Sequence, residues 1–169
     1  MAHKAHSLAG KTALITGSTS GIGLGIAKKL AAQGCNIMLN GFGDYESVLE
    51  AITAMDVQVD YHGADMGQPS EIESLMNATA NRFGRCDILV NNAGIQHVAP
   101  VETFPTERWN AVIAINLSSA FHTSRLALPA MQAANWGRII NIASVHGLVG
   151  SAQKSAYVAA KHGLVGLTK

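Results

Sequence analysis

The sequence predicts an α/β fold in which helices cover both faces of a parallel sheet. Short apolar segments alternate with longer helical segments, which implies parallel βαβ units with right-handed crossovers. A glycine-rich turn follows the first apolar segment and opens the first helix. Of the 169 residues, 48% are hydrophobic and only 14% are charged, so the chain is long and apolar enough to bury a sizeable core.

The first half of the chain contains three predicted strands and three predicted helices. Residues 12–16 are apolar and β-branched, as in a strand covered on both faces, and the helix that starts near residue 21 ends at Gly34. A second strand over 35–40 follows, and Asp44 is a candidate cap for a helix over 45–55. A short strand over 58–62 precedes a helix over 69–83, which begins with a proline, a residue favoured in the first helical turn.

The second half contains two further strands and two helices. Residues 87–90 form the fourth predicted strand, which ends in the turn Asn91-Asn92-Ala93-Gly94. A loop with two prolines leads to the longest predicted helix, over 107–134, and residues 138–142 form the fifth strand. The last predicted helix spans 155–169. Because no repeat or second-domain linker is visible, the sequence predicts one domain over residues 1–169.

Three glycines lie between the first strand and the first helix. Gly17, Gly21 and Gly23 allow a sharp turn and a close approach of the backbone to a ligand. The helix N-terminus directs unpaired N–H groups and the positive end of the helix dipole at that turn, which suits a pyrophosphate. The alternative is a tight strand-to-helix connection without a ligand. The apolar strand before the turn and the helix after it favour the phosphate site.

Ser144, Tyr157 and Lys161 are the candidate residues for chemistry. Tyr157 and Lys161 are four residues apart, so they share one helix face. A phenol titrates near about 10, and a nearby ammonium favours the phenolate, which makes tyrosine a usable acid or base. Ser144 closes the fifth strand, where ligands of open parallel sheets gather. The alternative is an amphipathic helix with a surface tyrosine and lysine, but the strand-end serine and the upstream glycines favour catalysis.

Four motifs in the same order resemble the short-chain dehydrogenase/reductase family: residues 16–23 (TGSTSGIG), Asn91-Asn92-Ala93-Gly94, Ser144, and Tyr157 with Lys161. The resemblance implies a Rossmann-like, doubly wound sheet with strand order 3-2-1-4-5. It also implies that Tyr157 is the general acid/base, that Ser144 orients a carbonyl, and that Lys161 tunes the phenol and binds the nicotinamide ribose. Asn116 would support a proton-relay water, although a mid-helix asparagine more often faces solvent or kinks the helix.

The resemblance further implies a nicotinamide dinucleotide cofactor. Asp65 would touch the adenine and Asn92 would lie beneath the cofactor, although each is also a plain turn residue. No arginine occurs in the glycine loop or at the end of the second strand to receive a 2′-phosphate, so NAD is expected rather than NADP. The acid that often marks NAD preference is missing near residues 40–42. The implied cofactor residues are Gly17, Thr19, Ser20, Gly21, Ile22, Gly23, Phe42, Asp65, Asn92, Ala93, Gly94, Tyr157 and Lys161.

Four shorter segments resemble the family members that interconvert (R)-3-hydroxybutyrate and acetoacetate: residues 40–43, 94–97, 143–147 and 154–157. This resemblance implies that Gln96, His146 and Lys154 hold a substrate carboxylate beside Ser144 and Tyr157. A cation with neutral donors suits a small anion and fixes which face meets the hydride. Chemistry alone leaves open that Lys154 is a solvated loop lysine and His146 a packing residue. A 3-oxoacyl thioester reductase, or an inactive nucleotide-binding fragment, is the alternative function.

The composition argues against other classes of protein. A net charge of +1 gives no reason to expect nucleic acid or an acidic membrane as a partner, and no segment approaches bilayer-spanning length. Residues 1–10 lack the apolar core of a signal peptide, so the cytoplasm is expected. His3 and His6 look solvated and no metal site is expected. Cys35 and Cys86 each open an apolar run, which predicts buried reduced thiols.

The chain ends inside the helix that carries Tyr157 and Lys161. Members of the resembled family continue through further strands, a segment that covers the substrate, and a strand that joins subunits. We therefore expect a domain that is incomplete at its C-terminus, with the fifth strand at a sheet edge and apolar helix surface exposed. Such a fragment should self-associate or dissolve poorly when expressed alone, whereas the longer form is expected to be a homotetramer.

Overall fold

The computed structural model describes residues 7–169. The segment 1–6, with His3 and His6, lies outside the described part. The strands are β1 (Thr12–Ile15), β2 (Asn36–Asn40), β3 (Val59–His62), β4 (Ile88–Asn91) and β5 (Arg138–Asn141). The α-helices are α1 (Gly21–Ala31), α2 (Glu46–Thr53), α3 (Pro69–Phe83), α4 (Thr106–Ile113), α5 (Ser119–Ala133) and α6 (Ser155–Thr168). Two 3₁₀ turns cover Val101–Thr103 and Val145–Gly147.

All five strands form one parallel sheet in the order β3-β2-β1-β4-β5, which confirms the predicted topology. Alternate residues of β1 point to opposite faces, as the pleat of a strand requires. Ala13 and Ile15 join the apolar cluster that also contains α1 and α2 residues, whereas Leu14 joins the cluster formed with α3 and α5. Helices therefore cover both faces of β1, and this explains why its sequence is continuously apolar.

β5 lies at one edge of the sheet, as the sequence predicts, and β3 lies at the other. β4 is buried along its whole length, while the side chains of β5 alternate between exposed and partly buried. Ile140 in β5 remains 44% exposed. An apolar residue with this exposure on an edge strand is a ready template for pairing with another strand.

The prediction of one continuous helix over residues 107–134 is wrong about its continuity. The segment is two α-helices, α4 and α5, joined by a π-helical turn over Ala114–Ser118. Asn116 lies at the centre of this turn and is buried, and its side chain bonds the backbone of Ile95 in a neighbouring loop. A π-turn widens the helix by one residue per turn and is frequent at functional sites. The wider turn presents Asn116 to that loop.

The other predicted element bounds agree with the structure to within about three residues, the largest difference being the end of α1 at Ala31 rather than Gly34. The Asp44 carboxylate caps α2, since the Ser47 N–H donates to Oδ1 at 3.2 Å and the Ser47 hydroxyl donates to Oδ2 at 2.7 Å. These hydrogen bonds lower the pKa of Asp44. Cys35 and Cys86 are free and buried, as predicted. Within the described residues, no helix has the length and apolarity to cross a bilayer, and no three potential metal-ligating side chains gather in one place.

Candidate active site

The glycine-rich turn between β1 and α1 packs tightly against the end of β4. Gly17 has a φ of +63°, a conformation that side chains disfavour, and a Cβ there would lie 3.1 Å from the Cα of Ala93. A Cβ on Gly23 would collide with the carbonyl oxygen of Gly17 and lie 2.5 Å from the Asn92 side-chain nitrogen. The turn therefore requires glycine at both positions, and Gly23 serves the packing of α1 against the turn.

Asn92 and Thr16 hold this turn in place. The Asn92 side-chain amide donates to the carbonyl oxygens of Thr16 and Gly17 at 2.9 and 3.0 Å. The Thr16 hydroxyl accepts from the backbone N–H groups of Asn92 and Ala93, both at 3.0 Å. Two adjacent strand ends are thus bonded into one rigid surface, and the strand-end motif at Asn92 has a role beyond a plain turn.

The N-terminus of α1 is open to an anion. No side chain caps it, since Ser20 at the N-cap makes no side-chain hydrogen bond, and the first turn contains no acidic residue. The first N–H groups of a helix have no partner within the helix, and the positive end of its dipole lies there. Ile22 in this turn is 68% exposed. A pyrophosphate would find backbone donors and no competing negative charge at this point.

A cavity of about 330 Å³ opens at the carboxyl edge of the sheet beside this helix end. Eight of the residues predicted to bind a cofactor line it: Gly17, Thr19, Ser20, Phe42, Asp65, Asn92, Ala93 and Gly94. Gly21, Ile22 and Gly23 form the start of α1 and are not among the lining residues, and neither are Tyr157 and Lys161. The sequence prediction missed six lining residues: Asn40, Gly41, Ala64, Met66, Ile95 and Ile115.

Asn40 is the most informative of the missed residues. Its side chain is buried, and its amide nitrogen donates to the carbonyl oxygens of His62 and Ala64 at 3.1 and 2.9 Å, while its Oδ1 accepts from the Gly17 N–H at 3.3 Å. It therefore joins the ends of three strands in one network. Its place at the end of β2, directly opposite the glycine turn, was the available signal in the sequence.

The second group of candidate residues surrounds the end of β5 and the start of α6. The Lys161 ammonium is buried, lies 5.7 Å from the centre of the Tyr157 ring, and donates to the Ile142 carbonyl oxygen at 2.6 Å. Burial lowers the pKa of Lys161. The His146 ring lies 6.2 Å from the Tyr157 ring in an edge-to-face arrangement, and the Ser144 hydroxyl accepts from the His146 N–H at 3.2 Å. The end of β5 and the first turns of α6 are therefore in contact.

Asn116 joins the two parts of the site. Its Oδ1 accepts from the Ile95 N–H at 2.8 Å and its amide nitrogen donates to the Ile95 carbonyl oxygen at 2.9 Å. Ile95 lines the cavity, and the neighbouring Gly94 lies so close that a Cβ there would be 3.6 Å from the Asn116 side chain. Tyr157 packs in the apolar cluster formed by Val112 of α4 and two alanines of α6, directly beside the π-turn. The π-turn therefore contacts both parts of the site, with Asn116 bonded to the cavity wall and Leu117 in the cluster that contains Tyr157.

The predicted substrate residues lie in adjoining loops. A backbone hydrogen bond from Ala99 to the Gln153 carbonyl oxygen, at 3.0 Å, brings the loop that contains exposed Gln96 against the loop that contains Lys154. Two buried polar atoms in this region, His146 Nδ1 and Ser155 Oγ, have no hydrogen-bond partner among the described residues. A buried polar atom without a partner is costly, so the packing at the start of α6 leaves two hydrogen bonds unmade.

Comparison with known proteins agrees with this architecture. The short chain dehydrogenase family matches residues 11–169. The chain is 67% identical to the D-beta-hydroxybutyrate dehydrogenase of Cupriavidus necator over 96% of its own length and 64% of that protein. It is 59% identical to the enzyme of the same name from Rhizobium meliloti, over 94% of its own length and 63% of that protein.

A solved structure with the same fold is the crystal structure of a metagenomic short-chain oxidoreductase in complex with NADP. It superposes with a TM-score of 0.91 at 37% identity and covers 95% of this chain and 74% of that chain. The chain spans less than two thirds of the two curated relatives. It belongs to the short-chain dehydrogenase family.

Proposed function

We propose that this member of the short-chain dehydrogenase family carries the cofactor and proton-transfer residues of an NAD-dependent enzyme that interconverts (R)-3-hydroxybutyrate and acetoacetate. The observation that carries the proposal is that α6 brings Tyr157 and Lys161 to the strand end that holds Ser144 and His146. The anion-accepting turn lies at the same edge of the sheet. The two relatives that are 67% and 59% identical are D-beta-hydroxybutyrate dehydrogenases, which supports the choice of substrate.

The chemistry follows from the residues around β5. When bound, the nicotinamide exchanges a hydride with the carbon that bears the substrate oxygen. The Tyr157 hydroxyl gives its proton to that oxygen during reduction and takes it back during oxidation. The Lys161 ammonium beside the ring favours the phenolate that forms when the proton leaves. The Ser144 hydroxyl donates to the same oxygen and orients it, and Asn116 fixes the backbone at Ile95 beside the cavity.

NAD is the proposed cofactor because the cavity offers no counter-charge for a 2′-phosphate. Among its lining residues there is no lysine or arginine, and Asp65 contributes a carboxylate. Phe42 and Gly41 occupy the end of β2, where dinucleotide-binding folds contact the ribose of the adenosine. The solved relative holds NADP, so cofactor choice has to be measured on this chain itself.

A free carboxylate is the proposed anchor of the substrate. Lys154 supplies a cation, and the Gln96 amide and the His146 imidazole supply further hydrogen-bonding groups. A thioester substrate would lack the charge that Lys154 matches. The chain covers less than two thirds of the curated relatives, so the remainder of the pocket is proposed to come from a longer protein in which residues 1–169 are one incomplete domain. The cytoplasmic location and the homotetramer are proposed for that longer protein.

The test is NADH oxidation with acetoacetate, run beside a 3-oxoacyl thioester and beside NADPH. It is performed on this chain and on a chimera extended with the C-terminal part of the relative that is 67% identical. We expect turnover with acetoacetate and NADH in the chimera. A clear preference for the thioester would contradict the substrate, and a clear preference for NADPH would contradict the cofactor.

Lys154→Ala provides the test of the carboxylate anchor. Removal of the charge-assisted contact should raise KM for acetoacetate about tenfold or more and change kcat little, because such bonds contribute about 1.5–3 kcal/mol. Lys29→Ala, in the last turn of α1, is the matched control and should change neither constant. An unchanged KM in Lys154→Ala would remove Lys154 from the substrate site.

A further inference from the structure

The turn that follows β2 is held by hydrogen bonds to two consecutive carbonyl groups. The Tyr61 hydroxyl donates to the carbonyl oxygen of Gly41 at 2.7 Å, and the Thr19 hydroxyl donates to that of Phe42 at 2.6 Å. Thr19 belongs to the glycine-rich turn and Tyr61 to β3, so two different elements hold the Gly41–Phe42 turn by hydrogen bonds. Gly41 has a φ of +147°, and a Cβ on it would lie 2.6 Å from the Thr19 hydroxyl oxygen.

The far end of the same loop is fixed by aromatic stacking. The rings of Tyr61 and Tyr45 are parallel to within 2°, with their centres 3.9 Å apart. Tyr45 directly precedes α2, so Tyr61 contacts the loop over residues 41–45 at both its start and its end. Burial and the neighbouring Tyr45 raise the pKa of Tyr61, so its hydroxyl keeps the proton that it donates to Gly41.

This loop forms one wall of the cavity at its outer end. Gly41 and Phe42 line the cavity, and the Phe42 side chain is 68% exposed. The end of β2 is where dinucleotide-binding folds contact the adenosine ribose. The position of this wall therefore depends on contacts made by Tyr61, which does not itself line the cavity.

We infer that Tyr61 is a positioning residue for the adenosine half of the dinucleotide, acting through the Gly41–Phe42 turn that it holds. The inference rests on the proposed function, because it presumes that a dinucleotide occupies the cavity. A wall that is already fixed loses less conformational entropy when the ligand binds. Loss of the Tyr61 hydroxyl leaves the ring stack intact and removes one of the two hydroxyl contacts that hold the turn, so that only the Thr19 hydroxyl remains.

The test compares Tyr61→Phe with Tyr45→Phe. Both variants keep the stacked rings, but only Tyr61→Phe removes a hydroxyl bonded to the turn, since the Tyr45 hydroxyl makes no hydrogen bond among the described residues. Binding of NADH is followed by fluorescence, and binding of ADP-ribose by its displacement of NADH. Thermal unfolding of each variant without ligand reports folding.

We expect Tyr61→Phe to weaken NADH and ADP-ribose by the same factor, about two- to tenfold, as expected for one hydrogen bond. Tyr45→Phe should bind both as the unaltered chain does. Gly41→Ala, whose Cβ would lie 2.6 Å from the Thr19 hydroxyl oxygen, displaces the carbonyl that accepts from Tyr61; it should weaken both ligands as well and gives a second test if Tyr61→Phe unfolds.

Two results would overturn the inference, and they are distinguishable. If the unaltered chain binds ADP-ribose and Tyr61→Phe binds it equally well, or loses only thermal stability, Tyr61 is structural and the proposed function stands. If neither the unaltered chain nor the chimera with the C-terminal part of the 67%-identical relative binds NADH or ADP-ribose, the proposed function fails and the inference fails with it.

Discussion

Two glycines of α1 provide a matched test of the nucleotide-binding turn. A Cβ on Gly23 would collide with the Gly17 carbonyl and lie 2.5 Å from the Asn92 nitrogen, whereas a Cβ on Gly25 would meet nothing within 4 Å. Both positions are inside the helix, so alanine gains about 1 kcal/mol of helix propensity at either. Only Gly23→Ala adds an overpacking cost, typically about 1–3 kcal/mol.

The two variants should therefore differ by about 1–3 kcal/mol in the free energy of unfolding, with Gly25→Ala the more stable. For a chain of this length, 1 kcal/mol corresponds to a shift in Tm of about 2–4 °C. The groups that must move in Gly23→Ala are the carbonyl of Gly17 and the Asn92 amide bonded to it, so the turn itself is displaced.

The assay is a urea titration of each variant, followed by NADH binding monitored by fluorescence. Gly23→Ala should bind NADH at least about tenfold more weakly than Gly25→Ala, because the backbone donors no longer face the phosphates. Equal stability and equal NADH affinity in the two variants would refute the assignment of this turn as a close-packed phosphate site.

Three further predictions concern buried polar groups. Asn116→Leu should destabilise the fold by about 1–3 kcal/mol in urea titrations, since two partly buried hydrogen bonds to the Ile95 backbone are lost, while Asn110→Leu on the exposed part of α4 should change little. Burial lowers the pKa of Lys161 below the 10.5 of the unfolded chain. Between the two pKa values the unfolded chain binds one proton more than the folded chain, so the free energy of unfolding rises with pH. Lys161→Met should lack this rise, and a difference in the free energy of unfolding between the two proteins that stays constant from pH 8 to 10 would contradict the prediction. Burial raises the pKa of Cys35 to about 11 and of Cys86 to about 12, so neither thiol should react with Ellman's reagent at pH 8 until urea unfolds the chain.

The parallel α/β class and the glycine turn could be predicted because local chemistry determines them, whereas the strand order was implied by the family resemblance. A continuously apolar β1 requires cover on both faces, and the glycines at 17 and 23 satisfy close backbone contacts that no other residue allows. The meeting of Tyr157 and Lys161 follows from helical spacing alone.

The π-turn at Asn116 could not be predicted in the same way. It depends on hydrogen bonds between the Asn116 side chain and the backbone of Ile95, 21 residues away, and the spacing of apolar residues in a helix does not reveal such a contact. The hydrogen bond from Tyr61 to the Gly41–Phe42 turn was missed for a similar reason, because Tyr61 in β3 lies beside that turn only once the sheet is assembled.

The most direct test of the central claim is Tyr157→Phe in the extended chimera. The substitution removes one hydroxyl oxygen, keeps the ring that packs with Val112, and leaves the cavity beside the glycine turn unaltered. If Tyr157 transfers the proton, NADH oxidation with acetoacetate should fall by about 10²–10⁴-fold while NADH affinity stays within about twofold. Turnover by Tyr157→Phe at the rate of the unaltered protein would contradict the claim.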